Sequence, residues 1–183
     1  QSKLSERIGR PVVIENRPGA ASQIATQHVA RSSPDGNTLL ISFDNHSINP
    51  IVKSKLPYDT FKDFVGVSLL VRFPLVIAAN PSVPGNNLAE FIAAAKKNPG
   101  LYSYASTGMG SLNQLAMEDI KRKAGIFVLH VPYSGGGPAI AAVVGNTASM
   151  TLLSYAAVKG QIQADKLKPL AVTGAQRLPE LPK

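Results

Sequence analysis

The chain has 183 residues, 44% of them hydrophobic and 16% charged, which is enough apolar material for one sizeable α/β domain or two small lobes. Its net charge of +8 favours anionic partners, but the basic residues are spread along the chain and only 6% of residues are aromatic, which argues against a nucleic-acid-binding protein. There is no cysteine, which excludes disulfides and thiolate chemistry.

Predicted strands and helices alternate along the sequence. In chain order, the first part predicts a strand at 11–15, a helix at 22–31, a strand at 38–42 and a polar loop to about residue 63. Two strands follow at 65–71 and 75–79, or one strand bent at Pro74. The second part predicts a helix capped by Asn87, then strands at 102–105, 127–131, 149–153 and 169–173, separated by helices that begin near residues 111, 138 and 156. Such alternation predicts mainly parallel sheets, with ligands at the carboxyl ends of the strands.

A glycine-rich loop at residues 105–111 joins a predicted strand to a well-marked helix. Ser111 and Gln114 form a capping box, and Gly125 ends the helix. Such a loop presents unpaired backbone N–H groups and the positive end of the helix dipole to an anion. Residues 130–138 repeat the pattern of strand, glycine loop and helix. Each loop alone would also fit a tight turn, but the pair predicts a small anion held by backbone amides.

Other polar residues have structural explanations of comparable weight. The ring of Tyr133 can simply pack at a strand end, and His46, in the polar loop with Asn49, is as typical of a surface as of a ligand site. His130 fits a core histidine with an internal partner. The basic run at 121–123, near a helix end, fits a solvated helix face.

Several function classes lack the residues they need. There is no Gly-x-Ser-x-Gly nucleophile elbow, and the three histidines are scattered without zinc-site spacing. The glycine pair at 108 and 110 lacks the third glycine and acidic partner of a dinucleotide-binding fingerprint. The longest apolar run, residues 69–79, is interrupted by Arg72 and Pro74, so we predict no membrane span. We therefore expect neither an enzyme nor a bound metal or cofactor.

The sequence Pro-Val-Val-Ile-Glu-Asn-Arg-Pro-Gly-Ala at residues 11–20 resembles the signature of the Bug (TctC-like) family, the extracytoplasmic solute-binding proteins of tripartite tricarboxylate transporters. Similar motifs follow in family order at residues 34–36, 38–40, 48–50, 56–59, 62–64, 106–111, 130–133 and 170–173. The resemblance implies a type II periplasmic-binding-protein fold, in which two α/β lobes close over a small carboxylate. It also implies a periplasmic location, membrane transporter subunits as partners and no catalytic residues.

This resemblance places the ligand at the two glycine loops and at the polar loop after residue 42. The hydroxyls of Ser106, Thr107 and Ser111 are the candidate side-chain donors. Leu152 and Leu153 stand where many family members carry an acidic residue, which favours a plain di- or tricarboxylate over an amino acid. The candidate ligand-binding residues are Ser106, Thr107, Gly108, Gly110, Ser111, Tyr133, Ser134, Gly135, Gly136, His46 and Asn49.

The resemblance also predicts how the chain is divided. We expect residues 1–72 and 170–183 to form the first lobe and residues 73–169 the second. The family pattern includes a strand before residue 1 and helices beyond residue 182, so the first lobe is expected to be incomplete. An open strand edge beside residues 12–14 would favour self-association. The alternative function is a ligand-sensing effector domain of the same fold, from a regulatory protein.

Overall fold

A computed structural model describes residues 1–181, and residues 182 and 183 lie outside the described part. The chain divides into two compact units, Gln1–Val65 and Gly66–Lys183. Among the described residues, no helix is both long and apolar enough to cross a membrane.

The first unit is built from helices and extended segments. Its elements are α1 (Ser2–Ile8), a 3-10 helix (Ala20–Ser22), α2 (Gln23–Ala30) and α3 (Asn45–Val52). Helix α2 confirms the helix expected at 22–31. Helix α3 corrects the prediction of a loop up to residue 63. The Asn49 amide donates to the backbone carbonyl of Ala21, 28 residues earlier, and such a tertiary contact overrides local sequence preference.

Three predicted strands are not strands in the structure, namely residues 11–15, 38–42 and 65–71. A strand requires a hydrogen-bonded neighbour, and these segments pair with none among the described residues. Their apolar side chains therefore remain in solvent, with Val13 76% exposed. Within the described residues, the first unit thus carries extended apolar segments without a sheet to bury them.

The second unit is a five-stranded sheet covered by helices on both faces. Its elements are β1 (Leu75–Ala79), α4 (Leu88–Lys97), β2 (Ser103–Ser106), α5 (Leu112–Ala124), β3 (Leu129–Pro132), α6 (Gly136–Val144), β4 (Met150–Ser154), α7 (Tyr155–Gln163) and β5 (Lys168–Val172). The strand order is β3-β2-β4-β1-β5. Strand β2 is parallel to β3 and β4, whereas β1 is antiparallel to β4 and β5. Four strands therefore point one way, as the prediction of a mainly parallel sheet requires, and β1 points the other.

Successive strand residues contribute to two cores, one on each face of the sheet. Ile77 and Leu152 pack with α4 and α5 on one face. Val76 and Leu153 pack with α6 and α7 on the other. The two leucines that stand in place of an acidic residue are therefore core residues, and both are buried.

The last described residues lie in the second unit. Strand β5 pairs with β1 and completes the sheet of that unit. Leu178 and Leu181 also pack against the core formed with α6 and α7. How residues 170–183 are shared between lobes in a longer protein stays a prediction, and residues 182 and 183 lie outside the described part.

A matched pair of leucine variants tests the buried sheet. Leu152 is 0% exposed and Leu101, in the same unit, is 66% exposed. We expect Leu152→Ala to lower the free energy of unfolding by about 2–5 kcal/mol, because it leaves a cavity in the core. Leu101→Ala should cost only about 0.5 kcal/mol, as exposed substitutions usually do. Urea unfolding followed by circular dichroism measures both, and equal losses would contradict the described core.

Candidate functional site

Three helices begin at the same edge of the second unit's sheet. Strands β2, β3 and β4 are parallel, and each is followed by a helix, α5, α6 and α7 respectively. The register pairs Ser106 with Pro132, so β2 and β3 end side by side. The positive ends of three helix dipoles therefore meet at this edge, an arrangement that attracts anions.

Side chains at the N-terminus of α5 form hydrogen bonds with the backbone of the loop after β2. Ser111 is 3% exposed, and its Oγ accepts the Gln114 N–H at 3.3 Å and donates to the Gly108 carbonyl at 2.7 Å. The Gln114 Oε1 accepts the Gly110 N–H at 2.6 Å. The predicted capping of α5 is confirmed, with the glutamine returning to Gly110 rather than to Ser111. The Ser111 hydroxyl is thus engaged inside the protein.

The other two hydroxyls of this loop also have internal partners. Ser106 is 0% exposed, and its Oγ accepts the Gly108 N–H at 3.1 Å and lies 2.6 Å from His130 Nε2. Thr107 Oγ1 donates to Asn113 Oδ1 at 2.7 Å. All three candidate hydroxyl donors therefore stabilise the loop in this structure. A ligand contact by any of them would require one of these bonds to be exchanged.

In the loop after β3, by contrast, backbone N–H groups are left without acceptors among the described residues. Its helix α6 has Gly135 at the N-cap, which offers no side-chain acceptor, and Pro138 in the first turn has no N–H. Within residues 1–181, the backbone N–H groups of Ser134, Gly135 and Gly136 have no acceptor. These amides lie at the N-terminus of α6, so they are free backbone donors at this edge of the sheet.

Tyr133 joins the two loops through its backbone. Its N–H donates to the Ser106 carbonyl at 3.0 Å. Its ring is half-buried and packs against the core formed with α6 and α7. The ring therefore has the packing role that the sequence left open, and a ligand contact by its hydroxyl stays a prediction.

The segments around the two loops and the start of α7 carry no charged side chain. Residues 98–117 and 131–158, which include both loops and the start of α7, contain no Asp, Glu, Lys or Arg. An anion here would be held by amides, hydroxyls and helix dipoles rather than by an ion pair. The described residues also contain no cluster of His, Asp or Glu that could hold a metal ion.

His46 and Asn49 lie on α3 in the first unit. Asn49 is fully buried, and its Nδ2 donates to the Ala21 carbonyl at 2.9 Å. The His46 ring contacts Phe64 edge-on at 4.9 Å, and burial lowers the pKa of His46. His46 Nδ1 and Asn49 Oδ1 are buried without a partner among the described residues. Their expected role beside the glycine loops, which belong to the second unit, stays a prediction.

A strained segment in the first unit was not evident from the sequence. Ala20, Ala21 and Ser22 have φ values of 48°, 53° and 70°, a left-handed conformation that disfavours side chains. Asn49 supports this segment at Ala21, and Thr26 Oγ1 donates to the Ser22 carbonyl at 2.8 Å. Such strain often marks functional segments, but here it falls on residues other than glycine, so no sequence signal predicted it.

Comparison with known proteins decides the family. The sequence model of the tripartite tricarboxylate transporter family receptor (TctC) matches residues 1–183. The chain belongs to this family. It is 33% identical over 180 residues to the UPF0065 protein in the tcbD-tcbE intergenic region of Pseudomonas sp. strain P51, covering 98% of this chain and 54% of the relative. It is 32% identical over 181 residues to BugT of Bordetella pertussis, covering 98% of this chain and 56% of BugT. The chain thus spans about half the length of these relatives.

Solved structures agree with the family. A periplasmic transporter superposes with a TM-score of 0.92 at 37% identity, covering 97% of this chain and 60% of that one. Rpa4515 of R. palustris, solved with adipate, superposes with a TM-score of 0.94 at 32% identity, and the match covers 98% of this chain and 60% of Rpa4515. MatC of Rhodopseudomonas palustris, with bound malate, superposes with a TM-score of 0.87 at 27% identity, and the match covers 99% of this chain and 63% of MatC. The chain therefore has the predicted periplasmic-binding-protein fold.

The cap of α5 can be tested without any ligand. We expect Ser111→Ala to lower the free energy of unfolding by about 1 kcal/mol, because the Gln114 N–H loses its acceptor. Ser134→Ala is the matched control, since Ser134 is exposed and its hydroxyl bonds to no described residue. Chemical denaturation measures both variants, and an unchanged stability of Ser111→Ala would contradict the cap.

Burial of His130 should make stability depend on pH. Burial lowers the pKa of His130 below its ordinary value of 6.5, Glu118 raises it and Lys121 lowers it again. The neutral ring therefore contributes stability that is complete above about pH 6.5 and is lost as the pH falls through the lower folded-state pKa. We expect the unfolding free energy to fall less between pH 7.5 and pH 5 in His130→Gln than in the parent chain. His28→Gln, at an exposed position of α2, is the control for exchanging a histidine for glutamine. Equal falls in all three would contradict this assignment.

Proposed function

We propose that this chain is the ligand-binding part of a periplasmic receptor that captures a small di- or tricarboxylate for the membrane subunits of a tripartite transporter. The observation that carries the proposal is the open N-terminus of α6, where backbone N–H groups lack acceptors beside the starts of α5 and α7. Membership of the receptor family supports it, as do the adipate and malate bound by two similar proteins.

The open amides suit a carboxylate energetically. A hydrogen bond to a charged group contributes about 1.5–3 kcal/mol. A helix dipole adds about 0.3–1 kcal/mol, and up to about 2 kcal/mol where the site is partly buried. Three helix starts with several free N–H groups can therefore bind a carboxylate without any basic side chain.

The neutral lining favours ligands without an ammonium group. An amino acid ligand would bring a positive charge that needs an acidic partner to be desolvated. No acidic residue occurs in 98–117 or 131–158, and the two leucines of β4 occupy the cores. We therefore propose a plain carboxylate as the ligand class.

A hydrolase is the competing function suggested by one contact. Ser106 Oγ lies 2.6 Å from His130 Nε2, the separation of a nucleophile and its general base. Ser106 is fully buried, however, and its Oγ also accepts the Gly108 N–H. A substrate carbonyl has no access to that oxygen, so this geometry supports a binding role instead.

A matched pair of ligands tests the function. Succinate and aspartate share a four-carbon dicarboxylate skeleton and differ by one ammonium group. We expect succinate, malate or adipate to raise the stability of the 183-residue chain, by about 2.7 kcal/mol at 100 times the dissociation constant. Aspartate should bind more weakly than succinate. Calorimetry and thermal shift measure both effects. Failure of every carboxylate would overturn the proposal, and tighter aspartate binding would overturn the ligand class.

Substitutions at Gly136 test the donor directly. Proline is tolerated at the first position of a helix but has no N–H, so Gly136→Pro removes one open donor of α6 while keeping the helix. Gly136→Ala keeps the N–H, and its Cβ would lie 3.9 Å from Leu153, an ordinary contact. We expect the proline variant to bind the best carboxylate about tenfold or more weakly, and the alanine variant to bind normally. Similar affinities would exclude this amide as a contact.

A further inference from the structure

We propose that His130 is a positioning residue for the candidate site: its Nε2 accepts a hydrogen bond from the Ser106 hydroxyl and thereby fixes the loop after β2 against the loop after β3. The inference rests on the proposed function in one respect, since it takes these loops to be the ligand site. The hydrogen-bond arrangement itself is independent of any ligand.

Counting protons around Ser106 assigns the direction of the bond. The single hydroxyl proton can go to His130 Nε2, 2.6 Å from Oγ, or to the Gly108 carbonyl, 3.2 Å away. That carbonyl already accepts the Ser111 hydroxyl at 2.7 Å and the Ser111 N–H at 3.3 Å. The proton therefore belongs on the shorter bond to Nε2. His130 is then neutral, with its own proton on Nδ1.

The ring of His130 is held in place by β2 and α5. It stacks on Tyr104 with centroids 4.9 Å apart and an interplanar angle of 25°. The Tyr104 hydroxyl donates to Glu118 at 2.6 Å, and Lys121 pairs with the same carboxylate at 2.7 Å and lies 5.5 Å from the centre of the tyrosine ring. Burial raises the pKa of Tyr104, so the phenol stays neutral. Tyr104, Glu118 and Lys121 are the titratable groups that face His130 from these elements.

Ser106 is hydrogen-bonded to His130 in β3 and to Tyr133 just after β3. The His130 ring holds its hydroxyl, and the Tyr133 N–H donates to its carbonyl at 3.0 Å. The hydroxyl in turn accepts the Gly108 N–H, and Gly108 has a φ of +129°, a conformation that glycine adopts most readily. A Cβ at Gly108 would lie 3.6 Å from the Tyr133 carbonyl, so the two loops are in contact. Without the Nε2 acceptor, the Ser106 hydroxyl would have to compete with Ser111 for the Gly108 carbonyl, which would loosen the loop beside the open amides of α6.

The protonation of the ring is testable without ligand. Nitrogen-15 NMR of the 183-residue chain distinguishes the two ring tautomers, and the signals of His130 are those lost in His130→Gln. We expect Nδ1 to carry the proton and Nε2 to be bare at neutral pH. In Ser106→Ala this preference should disappear, because the donor is gone. A proton on Nε2 in the unaltered chain would overturn the proposal.

Two variants separate the acceptor from the ring. His130→Phe keeps an aromatic ring to stack on Tyr104 but has no acceptor, whereas His130→Gln keeps an acceptor without the ring. We expect His130→Phe to weaken succinate binding roughly 3- to 10-fold, the effect of one hydrogen bond, and His130→Gln to stay within about twofold of the parent chain. His28→Gln is the control for the histidine change.

The two proposals fail in distinguishable ways. If the phenylalanine variant binds like the parent, or the glutamine variant is as weak as the phenylalanine one, the positioning role is overturned. If the parent chain binds no carboxylate, the proposed function fails, while the tautomer measured without ligand still decides the role of His130.

Discussion

The parallel pairing of β2 with β3 and β4 is the constraint on which the candidate site depends. Because the three strands run in one direction, the helix that follows each strand begins at the same edge of the sheet. The helices then divide between the two faces, where separate cores bury them. The convergence of helix N-termini, and with it the attraction for an anion, follows from this pairing rather than from any charged residue.

Side chains and backbone have different tasks at this edge. The hydroxyls of Ser106, Thr107 and Ser111 form hydrogen bonds within the protein, and these bonds fix the conformation of the loop after β2. The glycines of the second loop have no side chain to cap α6, so its N–H groups remain free. If this edge is the ligand site that we propose, a fixed loop beside free amides needs little ordering on binding.

The first unit has a different physical character. Extended apolar segments remain in solvent, and a run of left-handed residues is held by the buried amide of Asn49. Both features need support from elsewhere in a fold, since exposed apolar segments and strained backbone are each costly. The relatives that this chain matches are about twice as long, and the two solved relatives with carboxylates are also longer.

The sequence by itself determined the features that act within a few residues. The caps at Asn87 and Ser111, the stop at Gly125 and the alternation of strands and helices after residue 75 are all present in the structure. The family, and with it the fold class, also followed from sequence motifs. For these features a local pattern is sufficient, because the partners are close neighbours along the chain.

Only the tertiary structure decided the features whose partners are distant in sequence. The antiparallel direction of strand β1 is set by its pairing with β4 and β5, which come more than 70 residues later. Among the described residues, the segments with strand-like patterns near residues 12 and 40 have no neighbouring strand. The segment from residue 45 is a helix, and its Asn49 side chain bonds to the distant Ala21 carbonyl. The Ser106 hydroxyl is engaged by His130, 24 residues away. Whether a polar group is free for a ligand depends on what the fold brings beside it, and no local pattern contains that information.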